Sequence, residues 1–132
     1  MIGLDTNVLL RYIVRDDAAQ AKAASRFIEG RCSKDQPGHV SHVVLADLAW
    51  VLGRGYGYDK AEVVKVLAAI MSSAELKVQE SALAWAALRA FQSGQADFAD
   101  YLIGAVNEVC GCSATFTFDK RAAKSGWHSL VG

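Results

Sequence analysis

Five aspartates stand where short strands and helices would offer them to a hard cation. Asp5 closes the apolar run Ile2-Gly3-Leu4, and Asp119 closes Thr115-Phe116-Thr117-Phe118. Each falls between a predicted strand and a predicted helix, where an Asp is also a good N-cap, so position alone leaves both uses open. Asp47 has Val43, Val44, Trp50 and Val51 as helical neighbours three and four residues away. That spacing puts it on an apolar face, where a lone carboxylate is costly unless paired, hydrogen-bonded or bound to metal. Asp97 and Asp100 are three residues apart and share a helix face. Asp100 is followed by Leu102, Ile103 and Val106 and so adjoins buried surface. Asp97 falls in the first turn, where the helix dipole favours an anion with no further role.

Clustered carboxylates without a buried basic partner repel one another, and a divalent cation resolves the conflict. Carboxylate oxygens without Cys or His suit Mg²⁺ or Mn²⁺. Such an ion can hold a phosphodiester and lower the pKa of an attacking water. The chemistry implied is metal-assisted phosphoryl hydrolysis.

The elements that must position these acids alternate along the chain. Its 132 residues suit one domain over 1–132, and 52% hydrophobic residues are ample for a core. Met1 to Leu4 reads as a buried strand, Asn7 to Val14 as a short helix, and Asp17 as the cap of a helix through Ile28. His39-Val40 is a minimal strand. Ser41 caps a helix through Leu52, stopped by Gly53, Gly55 and Gly57. Asp59 opens a capping box with Glu62 and a helix through Met71. Leu76 to Val78 is a strand, Ser81 to Gln92 and Ala96 to Val109 are helices, and Thr115 to Phe118 is the clearest strand. Asp119 to Lys124 is a brief helix, and Ser129 to Val131 a last edge strand. The fold class is therefore α/β, with short-stranded, mostly parallel sheet. In such sheets ligands bind beyond the carboxyl ends of the strands, which is where Asp5 and Asp119 fall.

Charge and cysteine content narrow the rest. Fourteen basic and fourteen acidic residues cancel, so any nucleic-acid contact must come from local clusters. Arg11 and Arg15 follow Asp5, and Lys120, Arg121 and Lys124 follow Asp119; these are the candidates for RNA phosphates. Three cysteines, Cys32, Cys110 and Cys112, make no disulfide framework and suggest a reducing cytoplasm. Cys110-Gly111-Cys112 is too closely spaced for the usual zinc pair. No apolar run reaches the roughly 18 residues of a membrane span. Asp5 interrupts the start where a secretory signal would continue, so the opening residues are expected within the fold. Trp50, Trp85 and Phe91 are expected in the core.

Four blocks in order resemble the PIN-domain family, and within it the VapC-type toxins of toxin–antitoxin pairs. They are Leu4-Asp5-Thr6-Asn7-Val8-Leu9-Leu10, Val44-Leu45-Ala46-Asp47-Leu48-Ala49-Trp50-Val51-Leu52, Asp97-Phe98-Ala99-Asp100-Tyr101-Leu102-Ile103 and Thr117-Phe118-Asp119-Lys120. The resemblance implies a three-layer fold with a central sheet between helices. It also implies a Mg²⁺- or Mn²⁺-dependent endoribonuclease, a homodimer, and silencing by a VapB-like antitoxin. It places Asp5, Asp47, Asp100 and Asp119 in the acidic quartet and Asp97 as an accessory acid. Thr6 and Asn7 become the polar pair that orients Asp5. Asp47 departs from the pattern, because the family normally carries Glu there. A side chain one methylene shorter bears directly on a metal–oxygen distance tolerant to about 0.2 Å. The alternative reading is thus a PIN module that binds RNA or antitoxin without efficient cleavage. A receiver domain would need a central-strand phosphoacceptor and a Lys on a later strand, which Val78-Gln79-Glu80 and Thr115 to Phe118 do not supply.

Overall fold

Apolar pairs and triplets become the strands of a computed structural model that describes residues 1–132. Strands β1 (Ile2–Gly3), β2 (Gly38–Val40) and β3 (Leu76–Val78) pair in parallel in the order β1-β2-β3. Strands β4 (Thr115–Thr117) and β5 (His128–Leu130) form a second parallel ladder. The α/β class with short parallel strands expected from the sequence is what the structure has, with hydrogen bonding in two ladders. With only two residues, β1 bonds to β2 alone. Gly38 pairs with Ile2 of β1 under close packing, since a Cβ there would lie 2.7 Å from Leu4 Cδ1 and 3.0 Å from Cys32 Sγ.

Helices α1 (Thr6–Ile13), α2 (Ala18–Arg31), α3 (His42–Trp50), α4 (Lys60–Ser72), α5 (Ser81–Ser93) and α6 (Phe98–Val109) join the strands. Their starts follow local capping chemistry. Asp17 accepts from the Gln20 amide, Ser41 from that of Val44, and Asp59 and Glu62 close a reciprocal box. The core lies between strands and helices, with Leu9, Val40, Leu45, Leu48, Leu52, Leu67 and Phe98 among its fully buried side chains.

Two boundaries differ from the sequence reading, and both matter for the site. Helix α6 begins at Phe98 rather than Ala96, so Asp97 is its N-cap instead of a first-turn residue. Helix α3 does not stop at Gly53 but runs on as a π-helical turn over Val51–Gly55. The Tyr56 amide closes that turn on the Val51 carbonyl, and Gly57 then reverses the chain at φ 71°. Single π-turns widen a helix and often mark functional positions.

Candidate active site

Asp5, Asp100 and Asp119 are each held by a backbone amide within three residues. Asp5 caps α1, its Oδ1 accepting the Thr6 amide at 2.7 Å. Asp119 follows β4, and its Oδ1 accepts the amides of Arg121 at 2.8 Å and Ala122 at 3.3 Å. Its own amide donates to Thr117 Oγ1, which sets the turn. Asp100 lies one turn into α6, and its Oδ2 accepts the Asp97 amide at 3.2 Å. The capping and ligand readings are therefore compatible. One oxygen of each carboxylate serves the fold, and the other carries no hydrogen bond from the protein.

Electrostatics group three of the acids. Asp100 is half-buried, and loss of hydration raises its carboxyl above the usual range. The Asp97 amide opposes that rise, the charges of Asp119 and Asp97 add to it, and His128 offsets part of it. Asp119 is held below the usual range by the amides of Arg121 and Ala122, with the Arg121 guanidinium contributing. Neither Asp5 nor Asp47 is among the charges acting on Asp100. Asp97 and Asp119 thus both act on Asp100. Asp5 stands at the carboxyl end of β1, and Asp47 lies on α3. No three acids approach closely enough to ligate one ion together.

Asp47 corrects the sequence reading most. It is exposed, with Val43 (78% exposed) and Trp50 (52%) on the same side of α3. Of the apolar neighbours that defined its face, Val43 and Trp50 point outward, while Val44 and Val51 pack partly buried against the core. The core is filled from the other side by Leu45, Leu48 and Leu52. Trp50 therefore does not belong to the core, while Trp85 and Phe91 pack partly buried against it.

The PIN domain family matches residues 2–127. The chain belongs to the PIN-domain family. A VapC ribonuclease from Aquifex aeolicus (strain VF5) is 22% identical over 127 residues, covering 96% of this chain and 93% of that protein. No solved structure matches.

Within this PIN domain the remaining candidates divide by position. Thr6 is buried and holds Asp5 through its backbone amide, whereas Asn7 is exposed; neither side chain bonds to the Asp5 carboxylate. Arg11 lies in the last turn of α1 and Arg15 beyond its end. Six residues from the cap place Arg11 about 9 Å along the helix axis. Its guanidinium is engaged by Asp16 at 3.1 Å and Tyr56 Oη at 3.3 Å, and Arg15 bonds Ser25 Oγ. Lys120, Arg121 and Lys124 are exposed beside Asp119. Arg121 and Lys124 also line a cavity of about 540 Å³ with Tyr101, Ser125 and Trp127.

His128 is not among the acids and bases that the sequence singles out. In the PIN domain it is 8% exposed, its Nδ1 paired with Ser125 Oγ and its ring against Gly104. No local pattern signals this, because α6 and β5 meet only in the fold. Cys32 is buried, Cys110 and Cys112 are exposed, and all three are free thiols. No helix is long and apolar enough to cross a membrane.

Proposed function

We propose that this PIN domain is a divalent-metal-dependent endoribonuclease of the VapC type, the toxin of a toxin–antitoxin pair. Asp5, Asp100 and Asp119, each held by a backbone amide through one carboxylate oxygen with the other free of protein hydrogen bonds, carry the reading. Membership of the PIN family and the likeness to a VapC ribonuclease support RNA as the substrate. The same likeness supports a VapB-like antitoxin as partner, a homodimer as assembly and the cytoplasm as site of action.

The donor chemistry fits Mg²⁺ or Mn²⁺, since every group offered is a carboxylate oxygen. Mg²⁺ usually keeps several waters and takes only one or two carboxylates directly. Asp100 and Asp119 are the pair best suited to that, with Asp5, Asp47 and Asp97 acting through water. Bound there, the ion supplies an activated water and neutralises charge developing on the phosphodiester. The chain's own part is positioning. The amides of Thr6, Asp97, Arg121 and Ala122 fix the three edge carboxylates without using their second oxygens. Lys120, Arg121 and Lys124 meet the phosphates on either side of the cut.

A panel of single-stranded and structured RNAs tests the reading. Discrete cuts are expected in Mg²⁺ or Mn²⁺, and none in chelator. Undiminished cutting in chelator would exclude the metal mechanism. Well-folded protein that binds RNA but cuts none of the panel would establish the binding-module alternative instead.

Asp47→Glu tests the departure from the family pattern. Because Asp47 is exposed and its carboxylate has no hydrogen-bond partner, the added methylene meets solvent rather than packed atoms. Tighter Mg²⁺ binding and cleavage equal to or faster than wild type are expected. A clear loss of both would mean that the site is fitted to the shorter acid.

A further inference from the structure

A second cavity, of about 210 Å³, opens between the end of α3 with its π-turn, the start of α4 and the α5–α6 joint. Asp97 lines it, so it adjoins the acidic group without serving to hold it. One wall is the Trp50 ring with the Arg54 guanidinium 4.6 Å from its centroid. Phe91 and Phe98 also line it, meeting edge-on, and Lys60 lies 5.5 Å from the Phe91 centroid. Lys60 also donates to the Gly94 carbonyl, which fixes it at the rim. Gln95 contributes an exposed amide.

Chemistry and size select the occupant. The only ion pairs in the chain are Arg11–Asp16 and Arg121–Asp119, so Arg54 and Lys60 face the cavity without a carboxylate partner. An aliphatic side chain seated there would desolvate two cations and an amide and return nothing to them. A planar ring carrying hydrogen-bonding edges and attached to a phosphate satisfies all three. The volume is below the roughly 300 Å³ at which drug-sized ligand pockets begin, so it suits one ring system. Single-stranded RNA is read in this way, through splayed bases stacked on aromatic rings or guanidinium planes.

We propose that this cavity receives one unstacked nucleobase of the RNA beside the scissile phosphate, with Trp50 and Arg54 as its stacking wall. It is then a specificity-determining subsite. The assignment rests on the ribonuclease reading; Arg54, four residues after Trp50, lies over its ring.

Binding in an Asp100→Asn background, where cutting does not interfere, tests it directly. The probes are labelled oligoribonucleotides of each base and an abasic ribose-phosphate chain of equal length. At least one base-bearing probe should bind about tenfold more tightly than the abasic chain. Trp50→Ala should erase that difference while leaving affinity for the abasic chain unchanged, and Trp50→Phe should keep most of it. Trp50 is half exposed, so its truncation removes little core; should Trp50→Ala nonetheless melt early, Arg54→Gln gives the same comparison. Equal binding of abasic and base-bearing probes, or a preference that survives Trp50→Ala, overturns the assignment. So does competition by an apolar peptide for the Trp50 wall with base preference untouched, which would mark a protein side-chain socket. If the base preference depends on Trp50 yet the unmutated protein cuts no RNA in Mg²⁺, the cavity assignment stands and the nuclease reading falls.

Discussion

Asp100→Asn should lower RNA cleavage at least about a thousandfold, ~4 kcal/mol of transition-state stabilisation, without weakening the fold. Asparagine keeps an oxygen to accept the Asp97 amide, so the start of α6 is preserved. What disappears is the charge, and that charge opposes folding. Asp100 titrates above its unfolded value because it is desolvated and lies near Asp119 and Asp97. Such a group favours the folded state fully only below its unfolded pKa, and the favour is lost as pH rises through the folded one. The Asn protein should therefore match wild type at low pH and melt at or above it near neutrality, in chelator. Asp119 has the opposite sign. Its depressed carboxyl stabilises the fold above the unfolded pKa, and that contribution is lost as pH falls through the folded value. Melting curves of Asp100→Asn and Asp119→Asn across the acid range read both signs. An Asp100→Asn protein that melts well below wild type in chelator would make Asp100 a structural residue.

Gly104→Ala should destabilise the domain by about 1–2 kcal/mol and reduce cleavage about tenfold. Propensity argues the other way, because Ala in a helix interior is favoured over Gly by about 1 kcal/mol. Packing decides. A Cβ at Gly104 would stand 2.6 Å from His128 Cε1 and 2.8 Å from Trp127 Cβ. Those residues lead into β5, and the Trp127 carbonyl accepts the Thr115 amide of β4 at 2.8 Å. Asn107 of α6 also bonds Thr115 directly. Pushing β5 off α6 therefore moves the strand that delivers Asp119 toward Asp100. Denaturant melts and kcat/KM of the same preparation check both effects. A gain in stability would show that the β4–β5 ladder yields freely.

Local chemistry made most elements readable from the residues alone. Asp17, Ser41 and Asp59 announce helices through hydrogen bonds that reach only two or three residues ahead, and each proved to be the cap. Asp5, Asp100 and Asp119 were visible for a similar reason, since strand ends and helix starts are local events. Features that failed depend on distant partners. Helix α3 is apolar on more than one side, so periodicity does not reveal which side the core takes, and Asp47 and Trp50 were assigned inward. The continuation of α3 through Gly53 and Gly55 overrides the helix-stopping tendency of glycine. His128 near Asp100 follows from the meeting of α6 and β5, which eighteen residues separate along the chain.

The divided use of each edge carboxylate constrains how this lineage can change. One oxygen anchors a turn while its twin stays available, so Asp5→Ala or Asp119→Ala would remove an anchor together with an active group. An organism under pressure to disarm the protein while keeping it abundant, as a decoy or an assembly partner, has one inexpensive route. Asparagine retains the anchoring oxygen and surrenders only the charge. Disarmed descendants should accordingly carry Asn at these sites, and Ala or Gly there should accompany decay of the whole gene product.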